Sequence, residues 1–413
     1  MSEAKSRRDF LTAAALTVPA QVLANLPESR QPSPLAKSMK VTHVEALLLQ
    51  KTMPETLWVS IIPHNGLKGI AQRLIIKVHT DAGITGYGEG TSAGAQLFRQ
   101  GLADLVIGQD PFMVGKVWET LFALTNSREL VKREWSRGNL LSAMGPIDAA
   151  LFDIMCKSTG LPLYKFLGGY RDSIPVSVTF GYYREGKGIA DLVEEVRGYI
   201  HQGFNAFKIK VGGLGVEDDY NRVKAVREAV GPSVRLMIDA SQAWDVETAI
   251  LASNRMYDLN ITWLEEPLQW YDDVEALKKL KLNTRIPLAG GEREITRWGA
   301  RQLMETGTVD FLTFEADAHG GITEWRKIAG TASTEHVWMS PHHQPVLHGH
   351  LLASVPNGYI VECVANPLYD PFWFELYDRT PKIENSVMHL DDTPGLGLEF
   401  NQKRLEQYAT RLI

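Results

Sequence analysis

Eight short apolar runs recur after Gly169, stretches of helical character lie between most of them, and the region before them mixes strands with helices. Together these observations predict an α/β fold: a (β/α)8 barrel, of the modified TIM type, with an N-terminal α+β capping domain completed by the C-terminal segment. The runs are IPVSVTF, AFKIK, VRLMID, ITWLEE, IPLAGGE, VDFLTFE, VWMS and YIVE, spaced by roughly 25 residues. An open doubly wound sheet is the competitor. Such a sheet usually carries a Gly-rich phosphate turn after its first strand, and none follows IPVSVTF.

Residues 1–24 read as an export signal. Arg7 and Arg8 precede Phe10 and Leu11, an Ala-rich apolar run follows, and Val22-Leu23-Ala24 offers a small-residue cleavage site. The pattern predicts twin-arginine export of a folded protein to the periplasm; a disordered tail with a chance arginine pair is the alternative. Residues 25–40, rich in Pro and Ser, read as a linker. Residues 41–167 are the expected capping domain. Within it VTHVEALLLQK and QRLIIKVHTDAGITGYGEG read as antiparallel strands, the second turning at Asp81-Ala82-Gly83. Ile147, Ala150, Leu151 and Ile154 then fall at helical spacing, and the helix breaks at Gly160 and Pro162. Residues 168–380 hold the barrel units. The segment 381–413 departs from their rhythm and is expected to return to the capping domain.

Composition narrows the function. The 413 residues are 44% hydrophobic and 22% charged, with a formal net charge of -6. A mildly acidic chain without a basic stripe gives no footprint for nucleic acid. Cys156 and Cys363 make neither a disulfide framework nor a metal-ligand spacing and are expected in the core. Beyond the signal no stretch reads as the ~20 apolar residues a membrane span needs, so no membrane partner is expected.

The chemistry sits where the barrel strands end. NAFKIKVGG carries Lys208 and Lys210 at spacing two, which puts both ammonium groups on one face of a strand. Asp239, Glu265 and Glu292 close or follow the next three strands, Glu315 the sixth with Asp317 two residues on, His342 and His343 the seventh, and Glu362 the eighth. In a parallel barrel all these ends meet at one mouth. Three acids from three adjacent strands, with no sulfur, predict a Mg²⁺ site, Mn²⁺ being possible. Two ammonium groups so close make each charge less favourable, so one lysine is expected to be a neutral base near working pH.

These residues together resemble the enolase superfamily, and within it the mandelate racemase group, from about Val41 to the C-terminus. The likeness rests on GITGYGEG, on GPIDAALFDIMCKSTGLPLYKFLGG, on the Lys208-x-Lys210 pair, on Asp239, Glu265 and Glu292, and on His342 with Glu362. The resemblance implies that Mg²⁺ binds a carboxylate substrate and that Lys210 takes the α-proton. Lys208 would tune Lys210 and touch the carboxylate, His342 would act on the opposite face, and Glu362 would donate a hydrogen bond to the enediolate oxygen. Glu266 would support the site. The group usually carries Asp where Glu315 stands, which leaves open whether Glu315 or Asp317 partners His342.

One enediolate leads to several outcomes. Protonating a leaving hydroxyl gives a 2-keto-3-deoxy acid and makes the enzyme a dehydratase; returning a proton makes it a racemase or epimerase; loss of an internal oxygen makes it a cycloisomerase. The capping loop 52–70 holds Trp58, Ile61 and Ile62 to exclude water, with His64, Asn65 and Lys68 expected to contact hydroxyls or a second carboxylate. Ser241, Arg293 and His343, with Tyr182, Tyr183 and Gln344, add hydrogen-bonding groups at the mouth. So polar a rim predicts a small-molecule carboxylate, an acid sugar, as substrate and dehydration as the reaction. A sugar-acid binding protein without catalysis is the alternative of another class. A homo-oligomer is expected.

Overall fold

The computed structural model describes residues 38–54, 57–60 and 69–413, with the side chains at 272 and 273 left aside. The expected export signal, most of the linker, and His64 with Ile61, Ile62, Asn65 and Lys68 lie outside the described residues.

Three antiparallel strands open the capping domain: β1 (Val41–Thr52), β2 (Ile70–Thr80) and β3 (Thr85–Gly90). Alternation along β2 splits its apolar side chains between two faces. Leu74, Ile76 and Val78 join the core of the capping helices, whereas Ile75 joins Phe372, Phe400 and Leu405 from the C-terminal part of the chain. Each fully buried aliphatic side chain contributes about 1.5–3 kcal/mol, so covering the second face is a substantial stabilisation.

The helix Arg137–Thr159 starts at Ser136, whose side chain accepts from Asn139 N–H, and stops at Gly160, which adopts φ 72. It is buried almost all round because it lies between the capping sheet and the barrel. The sequence reading found no membrane-length apolar stretch, yet this helix has that length and composition. With 94% of its apolar window inside the protein, it is a core helix. The glycines of TGYGEG explain the close packing. A Cβ at Gly88 would lie 1.8 Å from the Pro146 carbonyl oxygen, and one at Gly86 would lie 2.1 Å from that of Ala150.

The barrel strands are β4 (Ser173–Phe180), β5 (Ala206–Lys210), β6 (Arg235–Asp239), β7 (Ile261–Glu265), β8 (Leu288–Gly290), β9 (Phe311–Leu312), β10 (Trp338–Met339) and β11 (Val361–Cys363). They pair in parallel in chain order from β4 to β10, and β11 pairs with β4. The seam between β10 and β11 is closed by the Met339–Gly358 bridge and by Tyr359 N–H donating to Met339 O at 2.9 Å. The runs predicted for β9 and β10 are longer than their ladders. Beyond them pairing continues as single bonds, Thr313 N–H to Gly290 O at 3.0 Å and Ser340 N–H to Leu312 O at 2.9 Å.

The chain after 380 takes a less direct path than expected. Lys382–Glu384 and Val387–His389 first form a hairpin that pairs antiparallel with the start of β4. Only then does Ala409–Arg411 add to the capping sheet, antiparallel to β1.

The helix Arg137–Thr159 also anchors the loop that follows β9. Gly320 N–H donates to Leu141 O at 3.0 Å, and Thr323 donates from N–H and Oγ1 to Asp148 at 2.9 and 2.7 Å. A Cβ at Gly145 would lie 2.2 Å from Asp317 O. The capping domain thereby fixes the loop that carries Glu315 and Asp317.

Candidate active site

Strand alternation decides what each face of β5 meets. Phe207 and Ile209 point out into the core shared with the helices, while Ala206, Met237, Trp263, Ala289 and Phe311 close the barrel interior as an apolar floor. Lys208 and Lys210 are 2% and 5% exposed and belong to the interior face. Trp263 ties floor to site by donating from Nε1 to Glu265 Oε2 at 2.8 Å.

The register places the polar groups at one height: Lys210 opposes Asp239 across β5–β6, and Asp239 opposes Glu265 across β6–β7. Lys208 Nζ contacts Glu265 Oε1, donates to Glu362 Oε2 at 2.7 Å, and lies 3.8 Å from Asp239 Oδ2. Lys210 Nζ donates to Asp239 Oδ2 and to Ser241 Oγ at 3.3 Å, and sits 5.5 Å from the centre of the Tyr182 ring. Ser241 holds Asp239 Oδ1 through its N–H at 2.8 Å and its hydroxyl at 3.2 Å. On another side of the mouth, His342 Nδ1 contacts Glu315 Oε1, and His342 Nε2 lies 3.6 Å from Glu292 Oε2. The rings of His342 and His343 lie with centres 3.7 Å apart and planes tilted by 46°, and His343 Nδ1 is 3.8 Å from Glu362 Oε1.

Burial and charge set the protonation of these groups. Burial pushes Glu265 up to about 8 despite the nearby Lys208 ammonium, and it raises Glu292 together with the charge of Asp239. Burial acts the same way on Asp239, but Lys210 and Lys208 outweigh it and hold that carboxyl down to about 2. His342 is pulled to about 3, first by burial, and Glu315 is raised well above the usual carboxylate range by burial and then by Asp317.

Two sequence expectations change here. Burial lowers both lysines, but Asp239 for Lys210 and Glu265 with Glu362 for Lys208 more than reverse it, so both ammonium groups are favoured rather than one neutral amine. The carboxylates, not the like charge, dominate their surroundings. Glu362 was expected to donate to an enediolate oxygen. Against burial, Lys208 and the two histidines hold it well below the usual range, and it accepts from Thr179 Oγ1 at 2.6 Å. As an ionised acceptor it orients Lys208.

Asp239, Glu265 and Glu292 fit a hard divalent cation by donor type: three buried carboxyl groups from adjacent strands, two of them pushed toward protonation in a way a cation would relieve. Among the described residues, the group whose ligand atoms lie within 4.8 Å of one another is instead His342, His343 and Glu362. The lysine ammonium groups hold Asp239 and Glu265.

The remaining expected residues fall as follows. Ser241 is part of the Lys210–Asp239 cluster. Arg293 is about half exposed and reaches Glu292 Oε1 from 3.4 Å. His343 borders the clefts beside the mouth, and His64 lies outside the described residues. Glu266, at φ 41, accepts from Gly291 N–H at 2.8 Å and Gln242 Nε2 at 3.3 Å and so supports neighbouring loops. Asp317 does not reach His342; Glu315 does.

Sequence reasoning missed Thr179, Trp263 and His348. The His348 ring is fully buried, accepts at Nε2 from Ala316 N–H (3.0 Å) and donates from Nδ1 to His343 O (2.7 Å). It ties together the backbones beside Glu315 and His342. Nothing in its helical context, PVLHGHLLA, marks that role.

Known proteins resemble this chain in sequence and fold. Residues 64–168 fit the family described as mandelate racemase / muconate lactonizing enzyme, N-terminal domain, and residues 191–404 the enolase C-terminal domain-like family. An arabinonate dehydratase from Saccharolobus solfataricus is 29% identical over 360 residues, covering 84% of this chain and 94% of its own. A D-galactarolactone cycloisomerase from Agrobacterium fabrum is 31% identical over 350 residues, covering 81% and 90%. The crystal structure of a mandelate racemase/muconate lactonizing enzyme from a marine actinobacterium in complex with magnesium superposes with a TM-score of 0.79 at 32% identity, covering 90% of this chain and 99% of that one. By its two domain matches and these likenesses, the chain belongs to the enolase superfamily, in the mandelate racemase group.

Proposed function

We propose that this enzyme is a Mg²⁺-dependent lyase that removes the proton α to the carboxylate of an acid sugar and eliminates water, giving a 2-keto-3-deoxy acid. The coarser frame, superfamily chemistry on an acid sugar with Mg²⁺, is supported by the relatives' activities and by a magnesium-bound neighbour. Asp239, Glu265 and Glu292 would hold the ion. When bound, it takes up negative charge on the substrate carboxylate as the α-proton leaves.

This chain's own residues do the rest. With Asp239 and Glu265 turned to such an ion, their hold on the two lysines would loosen, and with it the hold that keeps Lys210 protonated. Lys210 Nζ then accepts the proton from C2, and the C2–H electron pair passes into the carboxylate as an enediolate. The C3–O bond breaks, the hydroxyl leaves with a proton from His342 Nε2, and a proton from Glu315 follows onto Nδ1. The enol tautomerises to the 2-keto acid; the net change is loss of one water, with no redox partner.

The single observation that carries the dehydration reading is the His342 Nδ1–Glu315 contact. It backs the ring with a buried carboxyl group while leaving Nε2 toward the mouth. An epimerase would use the same ring to return a proton to C2, and the cycloisomerase relative keeps that outcome in view. Incubation with Mg²⁺ and acid sugars in heavy water separates them. A dehydratase exchanges the α-proton and accumulates 2-keto acid; exchange without keto acid refutes dehydration, and neither signal refutes catalysis.

We also infer export by the twin-arginine route from Arg7 and Arg8. Replacing both with Lys is expected to retain the full-length chain in the cytoplasm. Unchanged periplasmic recovery would reject the inference.

A further inference from the structure

A cleft of about 290 Å³ opens beside Glu315 and His343 and is lined by Gln72, Arg73, Asp317, Gln344 and Asp370 among others. Its wall is rich in carboxyl groups, and among the described residues it has no unpaired cation. Arg73 is the lone Lys or Arg among the described lining residues, and its guanidinium is already committed to Asp370 at 2.8 Å and Glu89 at 3.2 Å. Three carboxyl groups, those of Glu315, Asp317 and Asp370, share the wall.

Asp317 supplies a second, independent observation. It is 4% exposed, and its Oδ1 has no hydrogen-bond partner. The nearest basic group, His348 Nε2 at 3.7 Å, already accepts from Ala316 N–H and has no proton to give. A buried acceptor without a donor is rare in a folded protein and is costly unless a ligand supplies one. A hydroxyl group meets that need. A carboxylate brings only further acceptors into a wall with no spare cation among the described residues.

We propose that this cleft receives the uncharged, hydroxylated end of the substrate with Asp317 accepting from a hydroxyl group, so that the substrate is a monocarboxylic acid sugar, an aldonate, rather than a dicarboxylic aldarate. This rests on the acid-sugar dehydratase reading above. Gln72 and Gln344 offer further amide contacts along the same wall. Asp317 is a specificity residue here; the reacting carbons are served by Lys210 and His342.

The experiment uses the full-length Mg²⁺-loaded enzyme with aldonates and aldarates of matched configuration at C2 and C3. It measures α-proton exchange, keto-acid release and the melting shift each acid produces. The aldonates are expected to show kcat/KM roughly 10–100-fold above their matched aldarates, the range set by leaving one buried polar group without its partner. Equal or better turnover of the aldarates overturns the proposal. Absence of exchange with every acid of both sets overturns the dehydratase reading instead. Asp317→Asn, which presents N–H donors in place of an acceptor, is expected to raise KM for the preferred aldonate about tenfold with kcat little changed. An unchanged KM removes Asp317 from the contact. Should that variant fail to fold by its melting curve, the comparison of the two acid classes on the unaltered enzyme still decides.

Discussion

Glu315→Gln is the substitution that separates the two halves of the proposed reaction. The Glu315 carboxyl contacts His342 Nδ1 and is buried, raised well above the usual carboxylate range by burial and by Asp317. Gln is close in volume but has no proton to relay. If its oxygen accepts from Nδ1–H, then Nε2 lacks the proton that the leaving hydroxyl needs. If its amide donates to Nδ1, Nε2–H remains but no proton follows it. Either way the general acid is lost, which typically costs ~10²–10⁴-fold in rate, or about 3–5 kcal/mol of barrier. Lys210 lies on β5 and His342 beyond β10, so the first proton transfer is not served by this pair. The assay follows deuterium exchange at C2 and release of 2-keto acid in the same sample. Keto acid should fall by that factor while exchange persists near its original rate. Equal loss of both signals, or of neither, refutes the division of labour.

Other expectations follow from the same geometry. Mg²⁺ must compete with a proton on Glu265, whose carboxyl is pushed up to about 8 by burial, so affinity should fall as pH drops through that value. For one displaced proton the dissociation constant at pH 6 should be ~100-fold weaker than its limit above pH 8, measured by calorimetry; a flat profile contradicts the assignment of Glu265. Gly88→Ala would drive a Cβ against the Pro146 carbonyl and should cost about 1–3 kcal/mol, read as a lower melting temperature. An unchanged melting temperature would mean that the capping strand and helix separate easily.

The eight barrel strands were legible as apolar runs at a regular spacing, and the site was legible because several of them end in charged groups, Lys210, Asp239 and Glu265 most plainly. Spacing of the lysines also gave the correct face, since period two fixes it. Charge balance was less legible. The like-charge argument for Lys208 and Lys210 is sound in isolation, but Asp239, Glu265 and Glu362 outnumber the lysines within contact distance, and only coordinates show this. The same holds for Glu362, whose ionised state follows from Lys208 beside it. A sequence could offer both Glu315 and Asp317 to His342; the backbone after β9 turns Glu315 toward the ring and Asp317 into the cleft. The sequence by itself offers no reason for glycines at every second position of β3. Their purpose is contact with a helix that lies 60 residues further along, between Arg137 and Thr159. His348 acts only through backbone atoms, so no residue pattern announces it.

The central claim is that Lys210 removes the α-proton. Single-turnover deuterium exchange at C2 with Lys210→Ala, loaded with Mg²⁺ and given an acid sugar that the unaltered enzyme dehydrates, tests it most directly. The account predicts that exchange and keto-acid formation both vanish while Mg²⁺ affinity stays within a few-fold. Exchange that survives at a comparable rate would place the base elsewhere and contradict the account.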